Sequence, residues 1–370
     1  MNNPFYFGNE VYSDDFCNRV DELSELRRDA LSGLNVLLYA PRRFGKTSLL
    51  KKLQNDLQHD ENTKVIFFDW FSVTSVEEFI EKYFHAIASA FESKSDKVVK
   101  LFKELLQIRP NITIKISQTN DISYGLSFTK KELEATFEDV VNLPYQYAKK
   151  MDKKVVVIFD EFQEVEQFDI EKKLRTIIQT HSRDVSYIFS GSKKSILNSM
   201  FNDKSRAFYK SVKHNIIKEI KLDDWVVFAN EKFAKTDKSI TNKQIGRIFN
   251  ITDGFPYYMQ QLLYLVWDIA QKSVKDEDII KALGLMYERE YDLYAYIYSS
   301  LTPNQKIALK YIVEFDGKNL YSNDNLAQTT LSASTLKSTL ESLMKKDICD
   351  RLGDKYYLVD PFMRYWLKEK

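Results

Sequence analysis

The chain is poor in the residues that interrupt regular structure. Its 370 residues include only 10 glycines and 7 prolines, which argues against a turn-rich all-β fold and for long helices. Cysteine is nearly absent: Cys17 and Cys349 are the only two. They offer no metal-ligand spacing and no disulfide framework, so a reducing compartment is the simple expectation. The four histidines (His59, His85, His181 and His214) are scattered, and a zinc site is not expected. Neither sign of charge is in excess. Lys and Arg number 54, Asp and Glu 53, for a net +1, so no global field argues for nucleic acid or a membrane surface. No apolar run approaches a membrane span, and the start, Met1-Asn2-Asn3-Pro4-Phe5, lacks a basic stretch followed by an apolar one. A cytoplasmic protein is expected, without internal repeats or low-complexity tracts. The length suits two or three domains, and 44% hydrophobic residues is ordinary for globular proteins.

What is present centres on Leu37-Leu38-Tyr39-Ala40-Pro41-Arg42-Arg43-Phe44-Gly45-Lys46-Thr47-Ser48. Val36 to Tyr39 reads as a short buried strand, and a helix is predicted from near Thr47. This is the spacing of a phosphate-binding loop. Successive backbone N–H groups must point into one concavity, and Gly45 lets the backbone come close. The helix N-terminus adds partial positive charge. Lys46 would reach the terminal phosphates and is expected to be solvated without them; the Thr47 hydroxyl can ligate Mg²⁺. Pro41, Arg42, Arg43, Phe44, Gly45, Lys46, Thr47 and Ser48 are therefore the candidate binding residues of the loop. The pattern usually opens with Gly, and here that position is Ala40, where any left-handed backbone would be strained.

In chain order, Leu23, Leu26, Ala30 and Leu31 share one helical face ahead of the loop strand. Arg19 precedes that helix and is a candidate nucleotide contact. Leu49, Leu50, Leu53 and Leu57 mark an amphipathic helix, Val65 to Asp69 a second strand, and Val76 to Phe91 a further helix. This alternation predicts a parallel α/β sheet. Ile112 to Ile116 and Ile122 to Phe128 alternate apolar and polar around turn residues Gln118 to Asp121, so a β-hairpin insertion is expected at about 110–130. Glu132 to Lys149 reads as a helix.

Val155-Val156-Val157-Ile158-Phe159-Asp160-Glu161 is the second landmark. Five apolar residues make a central strand, and two carboxylates stand at its C-terminal end, where open α/β sheets bind ligands. Asp160 fits an acid that holds Mg²⁺ through its waters; Glu161 fits the base that polarises an attacking water. Both acids could instead cap the next helix. Val185 to Ser192 is another strand ending in hydroxyls, and Ser190 could contact a γ-phosphate or its water. Arg206 lies in a basic, aromatic stretch at this edge and could carry charge to a neighbouring subunit's phosphate, or be a solvated arginine. Asn215 to Leu222 reads as a fifth strand.

From Asp223 strand alternation ends. Trp225 to Phe233, Ile245 to Phe249 and Tyr257 to Ala270 have helical spacing, and Pro256 marks a helix start. The C-terminal stretch reads as three helices and a hairpin, Ile348–Leu352 with Tyr356–Val359, which is a winged helix. From Tyr298 to Lys370 there are eleven Lys/Arg and nine Asp/Glu, a net +2. Lys337, Lys345 and Lys346 suit a solvated face better than a DNA-reading one. Phe362, Tyr365 and Trp366 are expected to pack on the lid or on a protein partner.

Together these strings resemble the AAA+ ATPases of the archaeal ATPase type, related to the signal-transduction (STAND) P-loop proteins. The resemblance rests on Phe16-x-x-Arg19 with Glu22-Leu23, Arg42-Arg43-x-Gly45-Lys46-Thr47-Ser48, Asp160-Glu161-Phe162-Gln163, Ser190-Gly191-Ser192, Gly254-x-Pro256 and Asp360-Pro361-Phe362-x-Arg364-Tyr365-Trp366. It implies a P-loop NTPase α/β three-layer sandwich with a parallel sheet (residues 1–222), an α-helical lid (223–297) and a winged helix (298–370). It implies ATP and Mg²⁺ as cofactors, with Thr47 and Asp160 at the metal. Gly254 and Pro256 would close on the nucleotide. Arg206, in Ser205-Arg206-Ala207-Phe208-Tyr209, aligns with a family arginine suspected of acting as a finger; no clear sensor arginine stands beside Gly254. The expected activity is a Mg²⁺-dependent ATPase whose nucleotide state moves the lid and winged helix, with Glu161, Arg206 and Ser190 as catalytic residues. The rivals are a DNA-binding regulator, against which the +2 charge argues, and a nucleotide-gated interaction switch with negligible turnover. The expected partners are ATP and ADP, with a homo-oligomer or protein partner through the lid and winged helix, and no membrane. A GTPase is disfavoured because Asn242-Lys243 is followed by Gln244-Ile245 and lacks the acidic residue. A small-molecule kinase is disfavoured because nothing in the lid indicates a second substrate pocket.

Overall fold

The computed structural model describes residues 2–8, 16–91, 111–116, 122–127, 129–181 and 183–370. The chain forms two compact units. One comprises Arg19–Pro41 and Gly45–Lys218, the other Met1–Asn18, Arg42–Phe44 and Glu219–Lys370.

The first unit alternates helix and strand: α1 (Val20–Leu31), β1 (Val36–Tyr39), α2 (Lys46–Gln58), β2 (Thr63–Asp69), α3 (Val76–Phe91), then the hairpin β3 (Asn111–Ile116) and β4 (Ile122–Ser127), α4 (Leu133–Met151), β5 (Lys154–Asp160), α5 (Glu171–Thr180), β6 (Val185–Gly191), α6 (Lys194–Asn202) and β7 (Lys213–Ile216). The main sheet has the order β2-β5-β6-β1-β7, and every neighbouring pair is parallel. Its central strands are continuous apolar runs because helices cover both faces. Every residue of β1 and β6 is buried, as is β5 from Val155 to Asp160. The α2 leucines 49, 50, 53 and 57 are fully buried, and burying each contributes roughly 1.5–3 kcal/mol. One aromatic-rich core joins β2, α3, α4, β5 and β6, with Trp70 stacked on Phe79 at 4.4 Å.

The hairpin pairs antiparallel, from Asn111 opposite Ser127 to Ile116 opposite Ile122, and stands apart from the main sheet. Its expected turn, Gln118 to Asp121, and Phe128 lie outside the described residues. The fifth strand of the main sheet is shorter than its apolar pattern predicts. It spans Lys213–Ile216, and the apolar residues that follow lead into a helix beginning at Leu222.

The second unit is mainly helical: α7 (Leu222–Ala234), α8 (Asn242–Thr252), α9 (Pro256–Ile269), α10 (Asp276–Ser299), α11 (Pro303–Glu314), α12 (Asn323–Leu326), α13 (Ala333–Lys345), the wing β8 (Cys349–Leu352) and β9 (Lys355–Leu358), and α14 (Met363–Leu367). Two helix starts follow from capping boxes. Thr241 caps Gln244 at α8 and Thr302 caps Gln305 at α11, each satisfying orphan N–H groups reciprocally. Phe362 packs edge-on to Tyr258, and Trp366 lies against Tyr291 and Tyr298. Of the aromatic residues expected to pack on the lid or on a partner, Phe362 and Trp366 thus meet the lid residues Tyr258 and Tyr291. No helix among the described residues is long and apolar enough to cross a membrane.

Candidate nucleotide site

The site forms at the C-terminal edge of the main sheet. β1 ends at Tyr39, and the loop returns to start α2 at Lys46. Gly45 takes a left-handed conformation, φ 82°, and a Cβ there would meet nothing within 4 Å. Backbone conformation, and not space, is what requires glycine. Ala40 is not among the left-handed residues, so its methyl carries no backbone strain.

Lys46 is buried and does not face solvent, contrary to expectation. Its ammonium lies 2.8 Å from Asp160 Oδ1 and 2.7 Å from Glu161 Oε1. The sheet-edge carboxylates are its counter-ions. The Thr47 hydroxyl donates to Asp160 Oδ2 at 2.9 Å, and the Ser190 hydroxyl donates to Asp160 Oδ1 at 2.7 Å. Glu161 follows the strand in a left-handed conformation, φ 48°, a strained backbone of the kind that clusters at functional sites. Its Oε2 accepts from the Gln163 amide and, at 3.0 Å, from the Ser192 hydroxyl.

Burial would raise the Asp160 carboxyl. The Lys46 charge and the hydrogen bonds from Lys46, Ser190 and Thr47 outweigh it and hold that carboxyl below its ordinary value. Glu161 follows the same balance: burial raises it, and Lys46 with Gln163 brings it below the usual range despite the Asp160 charge. A third acid joins them. Asp69 ends β2 in register with Asp160. Reduced solvation raises its carboxyl; the Phe71 N–H opposes this, and the Asp160 and Glu161 charges reinforce it.

The structure thus brings together Lys46, Thr47, Asp160, Glu161 and Ser190. Other expected residues are engaged elsewhere. Arg19, buried and left-handed at φ 82°, donates to Glu22 and to the Lys218 carbonyl. Arg206 donates to Glu171 through Nε and Nη2 and to Glu166 through Nη1. Arg42, Arg43 and Phe44 group with the second unit. There Arg42 pairs with Asp347 at 3.2 Å, Arg43 with Asp360 at 3.5 Å, and Phe44 lies edge-on to Phe255. Gly254 precedes α9 at φ 67°, where a Cβ would fall 2.6 Å from the Phe249 ring; Pro256 is the first residue of that helix. Pro41 is buried beside Ala40, and Ser48 is buried in the first turn of α2.

Sequence reasoning did not select Asp69, Gln163 or Ser192 as site residues. Asp69 had a signal, since β2 ends in an acid as β5 does. Gln163 and Ser192 stood inside quoted strings, but only the adjacency of β5 and β6 makes them neighbours.

A five-stranded parallel sheet, a glycine-turned loop opening a helix, and a lysine, threonine and two carboxylates converging at the sheet edge place the first unit in the P-loop α/β class. Residues 16–262 match the family described as an ATPase domain predominantly from Archaea, and the chain belongs to it. Residues 292–369 match a probable winged helix domain. Among solved structures, the fold is similar to the Walker-type ATPase of Pyrococcus abyssi, at TM-score 0.64 and 18% identity, covering 99% of each chain. It is also similar to the ORC2 protein of Aeropyrum pernix in its ADPNP–ADP complexes, at TM-score 0.58 and 15% identity, covering 98% of this chain and 94% of that one. The same protein in its ADP form aligns at TM-score 0.52 and 14% identity, covering 98% and 95%. No curated protein matches the chain.

Proposed function

We propose that the protein binds ATP with Mg²⁺ at this edge and hydrolyses it, and that nucleotide occupancy governs the state of the lid and winged helix. The observation that carries the reading is the cluster in which Lys46 meets Asp160 at 2.8 Å and Glu161 at 2.7 Å, and Thr47 meets Asp160 at 2.9 Å. The loop N–H groups and the α2 N-terminus would hold the phosphates. Lys46 would leave its carboxylates for the β- and γ-phosphates. The Thr47 hydroxyl and the Asp160 carboxylate are hard oxygen donors that already meet, and they suit Mg²⁺ with waters. When bound, Mg²⁺ supplies charge neutralisation across the phosphates. Glu161 takes a proton from the attacking water as its oxygen bonds to the γ-phosphorus. The bond to the bridging oxygen breaks, and ADP leaves with the electron pair. Support for coupling comes from the chain path: Pro41 and Gly45 group with the α/β unit, whereas Arg42–Phe44 between them group with the unit that holds the lid.

Glu161→Gln should keep ATP bound and slow hydrolysis by about 10²–10⁴-fold. The measurement is phosphate release alongside a calorimetric titration with ATP. Turnover at the wild-type rate in the variant would remove Glu161 from the role of base.

A further inference from the structure

Gly191 ends β6 in register with Tyr39, and its backbone does not require glycine. It does not lie in the left-handed region, yet a Cβ built on it would fall 2.0 Å from Gln163 Oε1 and 3.0 Å from Leu197 Cδ1. Space is therefore what an alanine would lack there. The occupant of that space is the Gln163 amide, which is buried. Its nitrogen faces Glu161 Oε2. Its oxygen, turned toward Gly191, is buried with no hydrogen-bond partner among the described residues. A buried amide oxygen left unmatched is costly. The reverse orientation would set that oxygen against a carboxylate, which is worse, so the amide is oriented by Glu161. Glu161 has two oxygens with different tasks. Oε1 takes Lys46 at 2.7 Å, and Oε2 takes Gln163 and the Ser192 hydroxyl.

We propose that Gln163 is a positioning residue for the base Glu161, and that Gly191 is glycine because the Gln163 amide must sit against its bare Cα. This rests on the reading of Glu161 as the hydrolytic base. When Lys46 turns to the phosphates, Oε1 is released to accept the water proton. Gln163 and Ser192 keep hold of Oε2, so the carboxylate does not follow the lysine.

Gln163 Oε1 is the far end of a flexible side chain, so Gly191→Ala should displace the amide and leave the strand folded. Gln163→Met, which fills similar volume without a donor, and Gly191→Ala should each lower kcat about tenfold to a hundredfold, the scale of a misplaced catalytic group. ATP affinity should stay within about twofold. In Gln163→Met the acid limb of the kcat–pH profile should move to higher pH, because the carboxylate has lost a donor to its charged form. The double variant Gln163→Ala/Gly191→Ala should be no slower than Gln163→Ala alone, since the clash has gone. A wild-type kcat and acid limb in Gln163→Met, or single effects that multiply in the double, would overturn the assignment. A ¹³C titration of the Glu161 carboxyl in the nucleotide-free protein keeps the two readings apart. If the wild-type chain does not turn over ATP, the hydrolytic reading fails. An upward shift of that titration in Gln163→Met then still supports the hold of Gln163 on Glu161, and an unmoved titration refutes it.

Discussion

Two cations of the α/β unit sit in carboxylate forks of different kinds. Lys46 lies between Asp160 and Glu161 with its side chain 7% exposed. Arg206 lies between Glu166 and Glu171 with its side chain 24% exposed. The first fork stands at the end of a central strand, and the second joins the start of α5 to the short helix Phe162–Phe168 before it. An ammonium is a compact charge on a flexible stem, and it can exchange one set of oxygens for another. A guanidinium bound through Nε and Nη2 to one carboxylate is fixed by planar geometry. The hydrogen bonds that Glu171 accepts from it push its proton affinity up against the opposing effect of burial. The lysine fork is thus suited to release its cation when phosphate arrives. The arginine fork is suited to retain it, and an Arg206 finger would first have to leave Glu171.

The comparison can be broken most strongly at Lys46. Lys46→Met leaves two sheet-edge carboxylates without their counter-ion, and breaking a buried pair costs about 3–5 kcal/mol. Urea unfolding of the nucleotide-free protein at neutral pH measures this. The sign with pH is definite. With Lys46 present, both carboxyls lie below their ordinary values. Their contribution is therefore present above the unfolded pKa of about 4 and is lost as pH falls through the lower folded values. The gap between wild type and variant should accordingly narrow toward and below pH 4. ATP affinity should also fall at least tenfold, matching a charge-assisted contact of roughly 1.5–3 kcal/mol. A variant as stable as wild type at pH 7, with unchanged affinity, would remove the exchange argument.

His181 sharpens the same comparison, because it is a buried base whose partners are neutral. Its ring nitrogens meet Tyr187 Oη at 2.6 Å and Asn142 Oδ1 at 2.9 Å. Burial lowers its pKa to about 4. The unfolded chain therefore binds more protons between about pH 6.5 and 4, and stability falls as pH drops through that window. The loss should be on the order of 3 kcal/mol at 1.36 kcal/mol per pH unit. Urea midpoints at pH 7, 6 and 5 should drop in wild type and flatten over that range in His181→Phe. Equal slopes in both proteins would show that burial does not keep this ring neutral.

Arg206 carries the smallest expected effect on stability. Arg206→Ala removes a partly exposed pair and should cost about 1 kcal/mol or less in thermal unfolding. If the guanidinium also serves a neighbouring subunit, turnover should fall with ATP affinity barely changed, and wild-type turnover per subunit should rise with protein concentration. A concentration-independent rate that survives the substitution would leave Arg206 as an internal brace only.

Local pattern by itself determined much of this protein. Period-two and continuous apolar runs at Val36–Tyr39, Val155–Phe159 and Val185–Phe189 marked the strands. Leucines at helical spacing marked α2, and Gly45-Lys46-Thr47 and Asp160-Glu161 marked the ends that carry chemistry. These signals are legible because strand pleat, helical pitch and a left-handed glycine are properties of a few consecutive residues. Tertiary structure decided which side chain each functional group meets. The apolar pattern after Asn215 could not show where β7 stops, because that depends on pairing with β1. Lys46 looked solvated because its counter-ions lie 114 and 115 positions away, at the end of β5. Gln163 and Gly191 stood only as members of short strings until β6 settled beside β5 and left room for one amide where a methyl would not fit. Arg42, Arg43 and Phe44 read as phosphate-loop residues, yet their side chains pack with Asp347, Asp360 and Phe255. Burial and partner choice depend on the register of distant elements, and no window of consecutive residues contains that register.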